Sequence, residues 1–263
     1  MVRRGQAGRR AGGRRFAAVS ALTLAATVLY GRAFAYRPFA TEDAGVVGKG
    51  VLELEASLDH ARWRGGDRDV ALLLVPVYGV TQRLELSVDV PYMFHDPEEG
   101  GQDSALGDIT VSAKIALAGE TARRPALTLK GFVKSDSGDH ARGSGSGHWD
   151  YHLGAAASKT LGDLTLHGAL GHTFIGASGH DGARDIYLYG LAADWRLTAT
   201  LHLVTEATGS KNRDRRVKAD PLSFLVGLTY RLFDGLTLDA GLRYGANRSV
   251  PELGVTAGAT VTF

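Results

Sequence analysis

Acidic and basic residues of this 263-residue chain recur in stretches where every second position is apolar. Glu53, Glu55, Glu85, Asp89, Lys114, Lys130, Lys134, Arg196, Arg231 and Arg243 all fall on the polar parity of such stretches, together with Asp59, Asp108, Asp150, Asp194, Glu206, Asp239, His152, His167 and His202. Unpaired charges in a dry core are costly, so these groups must be hydrated or paired with one another. Residues of both signs around a wet space could line a passage for solutes, and these ten are the candidate pore-lining set.

Other chemistries find less support. With no cysteine there is no thiolate metal site, Cys nucleophile or disulfide framework. A serine hydrolase carried on a strand would place His and Ser two apart on one face, and none of the alternating stretches holds such a pair. Asp150 with His152 and Asp181 beside His180 are pairs expected by chance in polar loops and lumens. No His, Asp and Glu set has convincing metal-ligand spacing. Gly143 to Gly147 (GSGSG) lacks the Lys-Ser/Thr end and following helix of a phosphate loop. It is expected to be a flexible extracellular loop. No catalytic residue, metal or cofactor is therefore assigned, and an enzyme is not expected.

The elements that must carry these charges are strands, in which alternate side chains point to opposite faces. Leu253, Val255, Ala257, Ala259, Val261 and Phe263 alternate with Gly254, Thr256, Gly258, Thr260 and Thr262. Twelve such segments can be drawn, at 50–60, 69–79, 83–95, 107–117, 125–135, 148–160, 164–175, 185–197, 200–210, 221–232, 236–246 and 253–263. Their length suits a tilted membrane-crossing strand of ~9–11 residues. Segment 69–79 is apolar on both parities, so its facing stays open.

The connections alternate in length. Those at 61–68, 96–106, 136–147, 176–184, 211–220 and 247–252 are each longer than the neighbouring ones at 80–82, 118–124, 161–163, 198–199 and 233–235. Short periplasmic turns and long extracellular loops produce this pattern in an outer-membrane barrel. Both termini then lie in the periplasm. On the apolar parity, Tyr92, Phe94, Trp149, Tyr151, Phe174, Tyr187, Tyr189, Phe224 and Tyr244 gather near one end of the strands, and Tyr78, Trp195, Tyr230 and Phe263 near the other. Two aromatic girdles around an aliphatic band match the two lipid interfaces. Phe132, on the polar parity, and His172, on the apolar one, break the pattern. A secreted sandwich or lipocalin-like barrel would bury the apolar face instead, but explains neither the alternating loops nor the terminal aromatic residue. The expected fold is an all-β, transmembrane, antiparallel up-and-down barrel of about twelve strands over residues 50–263.

Ahead of the barrel lies a leader. Residues 1–35 hold seven arginines and no acid, and the formal charge of +2 overall becomes −5 without them. Phe16 to Tyr30 is apolar and Ala33-Phe34-Ala35 forms an A-x-A site, so a signal peptide cleaved before Tyr36 is expected. The apolar run falls short of the ~18 residues of a spanning helix. A mildly acidic mature chain argues against a nucleic-acid partner. Residues 36–49 form an N-terminal periplasmic or plug segment.

The mature start Arg37-Pro38-Phe39-Ala40-Thr41-Glu42-Asp43-Ala44-Gly45, then Gly48-Lys49-Gly50 leading into Glu53 and Glu55, Tyr78-Gly79-Val80-Thr81 with Leu84-Glu85-Leu86, Leu106-Gly107-Asp108 followed by Lys114, and the closing Phe263 resemble outer-membrane transporters of the MetA-pathway-of-phenol-degradation type. The resemblance spans nearly the whole mature chain. It implies a channel or transporter in the Gram-negative outer membrane, with hydrophobic or aromatic compounds among its solutes. Phe263 resembles the signal recognised by the barrel-assembly machinery.

The sequence thus points to passive passage of small solutes, with a plugged barrel serving as a structural or adhesive surface protein as the alternative. An ionic constriction is expected in the periplasmic half, from Glu53, Glu55, Glu85, Lys114, Arg196 and Arg231. Expected partners are outer-membrane lipid, the assembly machinery and lipopolysaccharide, whose phosphates would meet the basic loop Lys211, Arg213, Arg215, Arg216 and Lys218. The acidic loop Asp96, Glu98, Glu99 and Asp103 could share divalent cations with the same lipid.

Overall fold

The computed structural model describes residues 37–97, 103–176 and 183–263. The expected leader, Tyr36, Glu98, Glu99, His180 and Asp181 lie outside the described residues. Period-two alternation yields strands throughout: β1 (Leu52–Arg62), β2 (Arg68–Gly79), β3 (Leu84–Asp96), β4 (Asp103–Leu106), β5 (Thr110–Ala118), β6 (Ala126–Lys134), β7 (Asp150–Leu161), β8 (Leu164–Ile175), β9 (Ile186–Arg196), β10 (Leu201–Ser210), β11 (Leu222–Phe233), β12 (Leu236–Gly245) and β13 (Leu253–Thr262). Each pairs antiparallel with its neighbour. The sheet closes because β1 pairs with both β2 and β13, while β2 also pairs with β3. In the closing seam Glu53 faces Thr262 and Asp59 faces Thr256. No helix among the described residues is long and apolar enough to cross a membrane, and closure into a barrel leaves no open sheet edge.

β4 and β5 occupy one wall position against β3, so the thirteen strands make a twelve-stranded wall. The sequence reads as a strand over 107–117 after a loop at 96–106, but the structure starts β5 only at Thr110 and forms β4 within the expected loop, with Gly107–Ile109 as the break between the two. The cause lies across the sheet. Pro91 of β3 has no N–H to donate, and Gly107 closes on it, donating to the Pro91 carbonyl at 2.8 Å. A Cβ at Gly107 would lie 2.9 Å from Pro91 Cγ.

The exposure pattern is inside-out relative to a water-soluble protein. Leu170 and Leu191 are each 70 % exposed, whereas Glu53 is 0 % and Lys114 2 % exposed. Every girdle residue, from Tyr92 and Phe94 at one end to Trp195 and Phe263 at the other, is outward and exposed. The facing of β2 settles as Leu72, Leu74 and Tyr78 outward and Val77 buried inward. Phe132, the inward exception, stacks on His152 with ring centroids 4.5 Å apart and planes 4° from parallel. Outward His172 packs among Phe174 and Tyr187.

The two-residue turns at Gly162-Asp163 and Asp234-Gly235 use glycines at φ 67° and 90°, the left-handed backbone that tight hairpins need. At the other end, the GSGSG loop is pinned rather than free. Asp108 accepts from the N–H of Gly138 (3.0 Å) and of Ser146 (2.8 Å), and from Lys134 Nζ (2.7 Å). Gly138 and Gly145 touch so closely that a Cβ on either would collide with the other. Ser146 and His148, two apart in this loop, bond only through His148's backbone, with no contact from the serine to the imidazole.

Candidate functional site: the barrel lumen

Residues 37–49 run round the inside of the barrel before entering β1. Their contacts touch most of the wall. Pro38 packs at Gly227 of β11, and Thr41 lies on Gly190 of β9, where a Cβ would collide with it. The Thr41 N–H donates to Glu206 of β10. The Phe39 ring sits 5.6 Å from that of His167 on β8. Ala44 N–H donates to Ser158 of β7 (2.8 Å) and Val47 N–H to Glu85 of β3 (2.6 Å). Backbone donors that would otherwise be stranded inside a wall of side chains thus find acceptors on it.

Charge fixes the middle of the segment. Lys114 Nζ lies 2.9 Å from both Glu42 Oε1 and Asp43 Oδ1, and Lys130 Nζ 2.7 Å from Glu42 Oε2. Burial on its own would raise the Glu42 carboxyl, but the two ammonium groups outweigh it and hold Glu42 down at about 2. At the start of the segment, the Arg37 guanidinium lies 3.7 Å from Asp59 and 3.6 Å from Asp239, and donates to Thr256 Oγ1.

The candidate pore-lining residues divide accordingly. Glu85, Lys114 and Lys130 hold the N-terminal segment. Glu53 and Glu55 are buried facing inward, and Glu53 accepts from Thr262 Oγ1 at 3.1 Å. Asp89 is half-buried on the same face. Lys134 joins Asp108 (2.7 Å) and Asp150 (3.1 Å), and Arg243 joins Glu206 (3.1 Å). Arg196 and Arg231 are brought to neither cluster. Both are exposed at the short turns, Arg196 on Asp163 and Arg231 on the Ala199 carbonyl. The ionic cluster in the lumen is therefore built by Glu53, Glu55, Glu85 and Lys114 without them.

Sequence parity missed Arg37, Thr41, Glu42 and Asp43 as site residues, because they belong to no alternating segment. The pairing of Glu42-Asp43 with Lys114 joins distant positions and leaves no local spacing signal. Inward glycines were the available clue. Gly190, Gly227 and Gly258 stand where side chains would be expected, and each is in contact with residues 37–41.

On the extracellular side of Ala40, Thr41 and Glu42 a cavity of about 400 Å³ remains open. Phe132, His152 and Lys130 line it on one side, Thr208 and Ser223 on the other. No group of three or more His, Asp or Glu side chains suited to a metal ion occurs among the described residues.

The model of the MetA-pathway-of-phenol-degradation family matches residues 35–263. The chain belongs to this family. An outer membrane channel from Pseudomonas putida F1 has a similar structure, with a TM-score of 0.67 at 16 % identity over 84 % of this chain and 98 % of that one. A KdgM porin solved with disordered oligogalacturonate superposes with a TM-score of 0.55 at 12 % identity, over 80 % and 99 %. The translocator domain of the autotransporter NalP from Neisseria meningitidis gives 0.50 at 15 % identity, over 82 % and 89 %. No curated protein matches the chain. These likenesses establish the fold as a closed barrel of the outer-membrane type.

Proposed function

We propose that this family member is an outer-membrane channel for passive passage of small solutes, and that residues 37–49 close its lumen and must shift for transport. The observation that carries this is the seating of Glu42 and Asp43 on the buried Lys114. An ion pair buried in a lumen is a weak source of stability but a specific latch. A twelve-stranded wall is wider than the eight strands that side chains fill and narrower than a sixteen-stranded porin. It can therefore be shut by one chain segment. The carbon-rich cavity beside Phe132 and His152 suits hydrophobic or aromatic solutes, as the family description suggests. Neither the lumen nor the barrel fold supplies a reason to assign catalysis.

Export by the leader 1–35, cleavage before Tyr36 and assembly through Phe263 complete this proposal. The Phe263 ring faces outward, and its backbone closes the seam on Leu52. Lipopolysaccharide phosphates are the proposed partners of Arg213, Arg215 and Lys218, which are exposed, while Lys211 is paired with Asp220 and Arg216 with Asp214.

Reconstitution into planar bilayers tests the channel. Conductance that falls as the permeant ions are enlarged supports it. A filled lumen equally favours the structural surface protein, which would give no conductance and no liposome swelling, with or without changes at Lys114.

A further inference from the structure

Arg37 sits in a built pocket. Asp239 of β12, Asp59 of β1, and Thr256 and Gly258 of β13 surround its guanidinium. Ser57 and Asp239 both lie opposite Gly258 in the strand register, and Asp59 lies opposite Thr256. Gly258 is what makes room, since a Cβ there would lie 2.7 Å from both Arg37 Nε and Asp239 Oδ2. A cavity of about 140 Å³, lined by Asp59 and Thr256 and by outer-loop residues Val250 and Pro251, opens onto this place.

The guanidinium is an imperfect occupant. It approaches Asp59 and Asp239 only at ion-pair distances of 3.6–3.7 Å. Both Asp239 carboxylate oxygens, and Glu53 Oε1 and Glu55 Oε1 on the same side of the lumen, are buried with no hydrogen-bond donor, and Arg37 Nε is buried with no acceptor. Buried carboxylate oxygens without donors are unfavourable, so a cation with freely oriented N–H groups would satisfy them better than the tethered Arg37 does.

The wall itself offers no substitute. On β12, β13 and β1 the Lys and Arg residues are Arg243, joined to Glu206, and Arg62, joined to Glu252. Elsewhere Lys134 is held by Asp108 and Asp150, and Lys114 lies opposite Glu85 in the register. Withdrawal of residues 37–49 removes Arg37 from Glu53, Glu55, Asp59 and Asp239 and leaves them as an acidic strip, bordered by Arg243, which stays joined to Glu206, and by Lys130, within electrostatic reach of Glu55.

We infer that the pocket formed by Asp239, Asp59, Thr256 and Gly258 is a subsite for organic cations bearing a guanidinium or primary ammonium group, which Arg37 occupies when the segment is seated. Its role in transport rests on the channel proposal, and binding does not. Solutes of this class compete with Arg37 for the same carboxylates, so they unseat the segment and pass along the acidic strip.

The test uses the full chain in detergent, with methylguanidinium as the probe against sodium chloride of equal ionic strength. Arg37→Ala vacates the pocket and is expected to bind methylguanidinium, read by calorimetry and by a rise in melting temperature. Adding Asp239→Asn to Arg37→Ala should weaken that binding at least tenfold. Should Arg37→Ala fail to fold, Arg37→Gln, which also removes the guanidinium, replaces it, and Asp59→Asn gives a second reduction. Equal binding with and without Asp239 overturns the subsite. In bilayers the wild-type current should prefer guanidinium over chloride, and Asp239→Asn should lower that preference several-fold. Current that is anion-selective, or indifferent to Asp239, overturns the inference and leaves the channel standing. Binding without current overturns the channel and leaves the subsite standing.

Discussion

Lys114 Nζ meets Asp43 Oδ1 at 2.9 Å, joining the inner wall of β5 to a segment 71 residues earlier in the chain. Lys114 is almost wholly enclosed, so its charge is tolerable only while Glu42, Asp43 and Glu85 surround it. Removing one partner of a buried pair costs about 3–5 kcal/mol. Lys114→Ala is therefore expected to shift the balance between seated and released segment by about 3 kcal/mol, roughly 100-fold. Mean conductance in a planar bilayer should rise. Arg231→Ala should leave it unchanged, because Arg231 is exposed near the end of β11 and donates to the Ala199 carbonyl of a short turn. Equal effects from the two variants would place the latch elsewhere.

Acid should release the same latch. Glu42 is held at about 2, below its ordinary 4.5. A depressed carboxyl stabilises the seated state fully above 4.5 and loses that contribution as the pH falls through 4.5 towards 2. Conductance is expected to climb over this interval. In Glu42→Gln the climb should be largely lost and the conductance at neutral pH already raised. A wild-type conductance that is flat between pH 5 and 2.5 would count against Glu42 as the titrating group.

The outer wall gives a prediction that depends on lipid alone. Leu170, near the middle of β8, is 70 % exposed. Leu170→Arg should lower folding stability in vesicles by about 2–4 kcal/mol, the cost of a cation near the bilayer midplane. Urea titration of the reconstituted barrel measures it. The neighbouring inward position, Ala169, borders the 400 Å³ cavity, and Ala169→Arg should cost much less. A reversal of this order would mean that the wall faces have been exchanged.

Asp108 makes a fourth, local prediction. Its carboxylate gathers Lys134 and the N–H groups of Gly138 and Ser146, so it holds the loop between β6 and β7 to the rim. Asp108→Ala should leave the barrel intact and loosen the backbone around the already exposed Arg142, with tryptic cleavage there at least tenfold faster. Unchanged cleavage would show that the Gly138–Gly145 contact alone holds the loop.

The barrel wall was legible because period-two alternation acts within each strand and needs no partner to be seen. Strand ends such as Leu164–Ile175 fall where the alternation places them. The break at Gly107–Ile109 was not legible, since its cause is a missing donor on a different strand, Pro91. β2 was ambiguous because Ala71, Leu73, Val75 and Val77 face inward without polarity, so both its faces look alike. The charged lumen could be read as a set of residues but not as a set of pairs. Lys114 and Glu42 meet only after the chain has built β1, β2, β3 and β4 and entered β5. Arg196 and Arg231 have the right parity, yet lie too close to the turns to reach the interior.

The stopper is also a leash. Gly48, Lys49 and Gly50 join it directly to β1, and Gly50 adopts the left-handed backbone at φ 79° that lets the chain double back into the wall. A group released on so short a tether remains at an effective concentration in the millimolar range. Re-closure is then an intramolecular event, independent of how much protein the membrane holds. Each opening ends by itself, with no second molecule required to shut the gate.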